Sequence, residues 1–308
     1  MDRTAPMKIA LITLGCKTNQ SDAASLAAEL TAQGHRVVPS PQEAEATIIH
    51  TCTVTQKTDY QSRQLIRRTA ARNPGGRIIV TGCYAQVSPE SLQAIAGVDF
   101  VVGLGERRRI PELLLSGPRS GAERVLSSPV GNQRIFEEWR LPRYSDRTRA
   151  FLKVQDGCDS FCSYCIVPHA RGRNRSLSPE RVLSQARDLS AQGYKEVVLT
   201  GIHLGTWGED LRPPQSLLTL LKALAGEKLG FRLRLSSIEP AEFTPALVDY
   251  LARSSAVCPH LHIPLQSGDD RILERMNRNY SASSYADLVN ALSRAIPGVA
   301  LGADVIGG

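Results

Sequence analysis

The chain has 308 residues, 42% of them hydrophobic and 22% charged, enough to bury a sizeable core and suggestive of two domains rather than one. No run of about 18 apolar residues could span a bilayer, and the apolar start at residues 9–14 is cut off by Gly15, Cys16 and Lys17, too short for a secretory signal. A formal charge of +7 favours a phosphate-bearing partner, and seven cysteines in a chain read as cytoplasmic point to metal binding or catalysis rather than disulfides.

In chain order, β-branched apolar runs at 9–14, 47–49, 77–81 and 100–102 predict strands, and the patterns at 21–33 and 58–72 predict helices. This alternation predicts an N-terminal parallel α/β domain over residues 1–116. Over 117–148 the pattern dissolves into Ser, Gly, Pro and Arg, where a linker is expected. A second α/β unit follows over 149–308. Its strands are expected at 150–155, 196–200, 232–236, 260–264 and 299–304, with helices at 179–192, 215–225, 244–252 and 285–295, spaced as in a (βα) barrel.

Cys158, Cys162 and Cys165 form C-x3-C-x2-C directly after the first strand of the second unit. Three thiolates on one loop can hold a four-iron cube and leave one iron open to chelate the amino and carboxylate groups of a small ligand, the pattern of the radical S-adenosylmethionine superfamily. Tyr164, just before the last cysteine, can pack beside that ligand. The rival reading is a zinc site completed by His169, in a basic RNA-binding module without redox chemistry.

Cys16, Cys52 and Cys83 are far apart, but each follows an apolar run, in Ile12-Thr13-Leu14-Gly15-Cys16, Ile48-Ile49-His50-Thr51-Cys52 and Ile79-Val80-Thr81-Gly82-Cys83. Parallel strands turn their carboxyl ends toward one crevice, so three cysteines placed there can converge, whereas core cysteines would fall inside the strands. Cys258 has no such partner and reads as a structural thiol. Arg171, Arg173 and Arg175 follow the second cysteine loop and are expected to contact RNA phosphates; Arg63, Arg67, Arg68 and Arg72 recur on one helix face, more simply read as solvated.

With these residues in view, the chain resembles the methylthiotransferases, in which a three-cysteine N-terminal domain precedes a radical S-adenosylmethionine barrel. It looks most like the tRNA N6-threonylcarbamoyladenosine branch, of the bacterial MtaB type. The stretches that carry this are Leu14-Gly15-Cys16-Lys17-Thr18-Asn19-Gln20, Thr51-Cys52-Thr53-Val54-Thr55, Thr81-Gly82-Cys83-Tyr84-Ala85-Gln86, Leu199-Thr200-Gly201-Ile202-His203-Leu204-Gly205, Ser236-Ser237-Ile238-Glu239-Pro240 and His262-Ile263-Pro264-Leu265-Gln266-Ser267-Gly268. Two departures stand out. His50 occupies a position where the resemblance leads one to expect Asn, and the family continues past Gly307-Gly308 with a last barrel strand and a C-terminal TRAM domain. The expectation is therefore an incomplete (βα) partial barrel, truncated before its last strand, with an unpaired edge and impaired activity.

The resemblance implies two [4Fe-4S] clusters, one on Cys16, Cys52 and Cys83 and one on Cys158, Cys162 and Cys165 that binds S-adenosyl-L-methionine. Tyr164, Gly201, Ser237, Glu239, Gln266, Ser267 and Gly268 would line the cofactor pocket, with plain turn roles the alternative for Gly201 and Gly268. The implied reaction is methylthiolation of C2 of N6-threonylcarbamoyladenosine at position 37, in the anticodon stem-loop of tRNA. A one-electron reductase such as flavodoxin or ferredoxin would supply the electron. Isopentenyladenosine in tRNA and a ribosomal protein are alternative targets.

Overall fold

The computed structural model describes residues 6–116, 124–143 and 148–307. Contacts divide them into two compact units, the first holding 6–116, 124–133, 138–143 and 166–172, the second 134–137, 148–165 and 173–307.

In the first unit β1 Lys8–Thr13, β2 Arg36–Val38, β3 Ala46–Thr51, β4 Arg77–Gly82, β5 Phe100–Val102 and β6 Val125–Leu126 form a parallel sheet in the order β2-β1-β3-β4-β5-β6. The helices are α1 Lys17–Ala32, α2 Gln56–Arg72, α3 Cys83–Val87, α4 Pro89–Gln93 and α5 Ile110–Leu115. Strand side chains alternate between two covered faces, which is why the strands read as continuous apolar runs. On one face Ile9, Ile48 and Ile79 pack with Leu26 and Leu30 of α1 and Leu113 and Leu114 of α5. On the other, Ile49, Ile78 and Val80 meet Ile66 of α2 and Leu92 of α4. Each such side chain contributes roughly 1.5–3 kcal/mol through burial.

The chain leaves β1 to one side for β2 and returns on the other for β3, so strand order reverses between β1 and β3. Ligands of open α/β sheets bind at the carboxyl ends of strands at such a switch point. The expected linker is also corrected in part: 125–126 add the edge strand β6, and Trp139 packs on the first unit's core. Residues 117–123 and 144–147 of that stretch lie outside the described residues.

The chain continues through β7 Arg149–Lys153, β8 Gln155–Asp156, α6 Val167–Arg171, which belongs to the first unit, and β9 Arg175–Ser176. There follow α7 Pro179–Ala191, β10 Glu196–Thr200, α8 Leu217–Gly226, β11 Arg232–Leu235, α9 Pro245–Arg253, β12 His260–His262, α10 Asp270–Arg275, α11 Ala282–Ala295 and β13 Ala300–Gly302. Parallel pairing runs β7-β10-β11 and β12-β13, with a Leu233 to Val257 bridge leading from one set to the other. Leaving aside the β8–β9 pair, each parallel strand lies beside the next one in the chain, the winding of a (βα) partial barrel.

The strand expected over 150–155 breaks at Val154, because Gln155 and Asp156 turn away to pair antiparallel with Ser176 and Arg175. Helix starts follow their caps: the side chains of Ser178, Ser216, Thr244, Asp269 and Ser281 each accept a first-turn N–H, worth about 1 kcal/mol apiece.

Candidate functional site

The first unit gathers its three cysteines at the carboxyl ends of β1, β3 and β4, around the switch point. Thr13 pairs with His50 and Thr51 with Gly82, so the strands end nearly level. Two glycines allow the close approach. Gly15 has φ +101, and a Cβ there would lie 2.7 Å from Cys52 Cβ and 2.8 Å from its Sγ. Gly82 also has φ +101, and a Cβ there would collide with the Thr51 backbone and lie 3.0 Å from Nδ1 of the buried His50.

Asn19 ties the strand ends together. Its Nδ2 donates to Leu14 O at 2.9 Å and Thr51 O at 3.0 Å, and its Oδ1 accepts from Cys83 Sγ at 3.8 Å and from Arg171 Nη2 at 2.6 Å. Cys16 is the N-cap residue of the 16-residue α1, with no side-chain cap, so the positive end of that helix favours an anion here. Cys52 and Cys83 are buried and Cys16 is exposed. Burial pushes the Cys83 thiol up to about 11 against the pull of Arg171, and it raises Cys52 as well; both feel the charge of Cys16.

In the second unit the 157–165 loop is pinned from two sides. Asn277, just past α10, donates to Ser160 O at 3.0 Å and Phe161 O at 3.3 Å, and Ser163 N donates to Met276 O at 3.1 Å. From beyond β10, His203 Nδ1 lies 3.4 Å from Cys158 Sγ, while its Nε2 meets Glu242. Burial would lower His203, but Cys158 and Glu242 together raise it to about 10. Against its own burial, Cys158 is lowered by hydrogen bonds from His203 and Ser160, whereas burial raises Cys162. Gln155 Oε1 accepts from His203 N at 2.8 Å, and a Cβ on Gly201 would lie 2.7 Å from that oxygen, so Gly201 owes its identity to close packing.

The expected pocket residues Ser237, Glu239, Gln266, Ser267 and Gly268 all follow β11 or β12 at the carboxyl side of the strands, and Gly201 follows β10. Sequence reasoning missed the group that organises them. Arg278, with 8% of its side chain exposed, donates from Nη1 to Glu239 at 2.6 Å and from Nη2 to Tyr164 Oη at 2.7 Å, and it stacks on Tyr164 and Tyr280. Ser237 Oγ lies 2.8 Å from His262 Nδ1, and Gln266 has φ +63. Arg278 and Asn277 sit far from the cysteines in sequence and in no local motif, whereas His203 lies within the 199–205 stretch that carries the resemblance but was given no role there.

The RNA-facing arginines need correction. Arg171 and Arg175 are buried at 1% and 4% exposure, Arg171 against Asp22 and Arg175 against Asp156, so neither guanidinium is presented to a phosphate. Arg173 is exposed, with Asp159 at 3.3 Å. On α2, Arg63 donates to Tyr84 Oη, while Arg67, Arg68 and Arg72 are exposed. Cys258 is buried, its Sγ 3.7 Å from Glu196. Among the described residues no three His, Cys, Asp or Glu side chains close on a single-ion site, and no helix is long and apolar enough to cross a membrane. A four-iron cube takes its thiolates on separate irons and does not require that closure.

Comparison with known proteins agrees with both halves. Residues 8–103 match the Uncharacterized protein family UPF0004, and residues 152–308 match the Radical SAM superfamily. The chain belongs to the radical SAM superfamily. It is 42% identical over 306 residues to the threonylcarbamoyladenosine tRNA methylthiotransferase MtaB of Bacillus subtilis, covering 97% of this chain and 66% of that protein. It is 37% identical to the Aquifex aeolicus MtaB, covering 73% of it, and 36% identical to a tRNA-2-methylthio-N(6)-dimethylallyladenosine synthase of Moorella thermoacetica, covering 68%. The chain spans about two thirds of the length of these relatives. Within the superfamily it belongs to the MtaB-type methylthiotransferases.

Among solved structures, a radical S-adenosylmethionine methyltransferase, TsrM, from Kitasatospora setae matches with a TM-score of 0.68 at 16% identity, covering 99% of this chain and 70% of that one. The cobalamin-dependent radical enzyme OxsB matches at 0.64 and 14%, covering 98% of this chain and 49% of that one. At these identities the likeness is one of fold.

Proposed function

We propose that the protein transfers a methylthio group to C2 of N6-threonylcarbamoyladenosine in the anticodon stem-loop of tRNA, using S-adenosyl-L-methionine and two [4Fe-4S] clusters in the cytoplasm. The observation that carries this is the placement of two cysteine triplets, each in its own unit, one just beyond the parallel strands β1, β3 and β4 and the other on the loop that follows β7 and β8, where Cys158 meets His203 from beyond β10. The donor sets fit: three thiols apiece, without a fourth Cys between them, suit cubes with one open iron.

Cys158, Cys162 and Cys165 would hold one cluster, which when bound with S-adenosyl-L-methionine supplies a 5′-deoxyadenosyl radical able to take hydrogen from an unreactive carbon. The chain's own part is positioning and exclusion of water. Asn277 and Met276 fix the loop backbone, His203 orients the Cys158 sulfur, and Arg278 fixes Tyr164 and Glu239 beside the loop. Cys16, Cys52 and Cys83 would hold the second cluster, which serves sulfur insertion. Exposed Arg67, Arg68, Arg72 and Arg173 would supply phosphate contacts, and a flavodoxin or ferredoxin the electron.

The test is anaerobic reconstitution, with iron and sulfide counted and products resolved by mass spectrometry. Changing Cys158, Cys162 and Cys165 to Ala should remove about half the iron and abolish 5′-deoxyadenosine formation. Changing Cys16, Cys52 and Cys83 to Ala should leave 5′-deoxyadenosine and stop methylthiolation. Unchanged cleavage in the first variant, or methylthiolated RNA from the second, refutes the assignment. The dimethylallyladenosine relative makes isopentenyladenosine tRNA the substrate to run alongside; preference for it would reassign the branch.

A further inference from the structure

Helix α2 begins shortly after Cys52 and runs back along the sheet for 17 residues, about 25 Å. Ser62, Ile66 and Thr69 are buried on its sheet side. At 3.6 residues per turn, Lys57, Tyr60, Arg67, Arg68 and Arg72 fall together on the opposite face, and all five are exposed, Tyr60 by 57%. Arg63 turns away from this face and donates to Tyr84 Oη. The row therefore starts with an aromatic ring at the cysteine end of the helix and continues as cations away from it.

Lys57, Arg67, Arg68 and Arg72 have no hydrogen bond or ion pair among the described residues, whereas exposed Arg187, Arg253 and Arg271 are each matched by a carboxylate, Glu227, Asp249 and Asp269. The only acid on α2 is Asp59. Nor does this arrangement serve the helix itself. Lys57 lies in the first turn, where the helix dipole disfavours a cation, and Arg68 and Arg72 repel each other one turn apart. The dipole accounts for Arg72 alone, in the last turn. An external anion with its charges in a row, as in a nucleic-acid backbone, offsets both costs.

A loop base brought to the N-terminal cysteines arrives at the Tyr60 end, and unpaired loop bases stack on exposed aromatic rings. We propose that the outer face of α2 is a docking surface for the anticodon arm, with Tyr60 stacking on an unpaired loop base and Lys57, Arg67, Arg68 and Arg72 holding the phosphates that lead away into the stem. The inference rests on the reading of tRNA as substrate and goes beyond it by naming a stacking residue and a direction for the RNA path. An acidic reductase would also meet the cations, but the bare ring at the cysteine end is what an unpaired base requires.

The test measures binding of the 308-residue chain to a fluorescein-labelled anticodon stem-loop hairpin carrying N6-threonylcarbamoyladenosine, by fluorescence anisotropy over a series of salt concentrations. The side chains to be changed are exposed, and circular dichroism confirms the fold of each variant. The triple variant Arg67→Gln, Arg68→Gln, Arg72→Gln should bind at least about tenfold more weakly, and the slope of log affinity against log salt should fall by about 2. A control with the same loss of charge, Arg187→Gln, Arg253→Gln, Arg271→Gln, should keep the parent's slope. Tyr60→Ala should lose about fivefold or more in affinity with the slope unchanged, and Tyr60→Phe, which keeps the ring, should stay near the parent. Parent-like RNA binding by the α2 triple variant, or weakening no greater than in the control, overturns the proposal while the tRNA reading stands; slower reduction of that variant by flavodoxin would then assign the face to an acidic protein. Parent-like binding by Tyr60→Ala overturns the stacking role. If the parent itself binds no RNA, the tRNA reading fails and the docking surface falls with it.

Discussion

Changing Gly82 to Ala should empty the N-terminal site while sparing the radical chemistry of the other unit. Gly82 has φ 101 and ψ −169, a region that essentially only glycine occupies, and holding Ala there costs about 1–3 kcal/mol. The added methyl would also lie 2.6 Å from Thr51 N, against backbone fixed in the β3–β4 ladder by the Thr51 to Gly82 pairing. Overpacking of that kind adds about 1–3 kcal/mol, so a total on the order of 4 kcal/mol is expected. Relief requires β4 to move away from β3, and that carries Cys83 from Cys52 and Asn19. Reconstituted Gly82→Ala should therefore hold about half the parent's iron. It should still cleave S-adenosyl-L-methionine and should form no methylthiolated RNA. Full iron loading with methylthiolation intact would show that the close approach at Gly82 does not set the cysteine geometry.

Arg278→Met should leave iron unchanged but weaken S-adenosyl-L-methionine binding about tenfold or more, because Glu239 and Tyr164 lose the group that orients them; equilibrium binding to the reconstituted protein checks this, and unchanged affinity refutes it. Glu196 receives Arg149, Arg232 and Arg234, and chiefly the Arg234 hydrogen bond holds its carboxyl down at about 2 against an ordinary 4.5. A carboxyl lowered in the folded state contributes stability above about pH 4.5 that is lost as pH falls toward 2. Glu196→Gln should thus be less stable near neutral pH by about 2 kcal/mol, discounted for the exposure of Arg149 and Arg232, and the gap should close through that window; a gap independent of pH in chemical denaturation would refute it. Asn277→Ala should unpin Ser160 and Phe161 and lower iron retention by the second cysteine loop, read as faster cluster loss to a chelator; parent-like loss would refute the pinning role.

Much of this was legible in the sequence because the relevant signals are local. A β-branched run is apolar throughout when a parallel strand is covered on both faces, so β1, β3, β4, β5 and β10 could be placed to within a residue or two. Ser-Pro and Thr-Pro pairs mark where α7 and α9 begin. Cys158, Cys162 and Cys165 share one short loop, and Cys16, Cys52 and Cys83 are each marked by the strand before them. What the tertiary structure alone decided is pairwise and distant. Strand order puts β1 beside β3 and so makes a switch point of the place where Cys16 and Cys52 lie. Arg171 and Arg175 read as solvent-facing cations next to a cysteine loop, but Asp22, 149 residues away from Arg171, and Asp156 draw them inside. Arg278 and Asn277 reach the second loop from more than 100 residues downstream. Charge and periodicity describe a residue's own segment, whereas burial and ion pairing depend on which segments the fold sets against it.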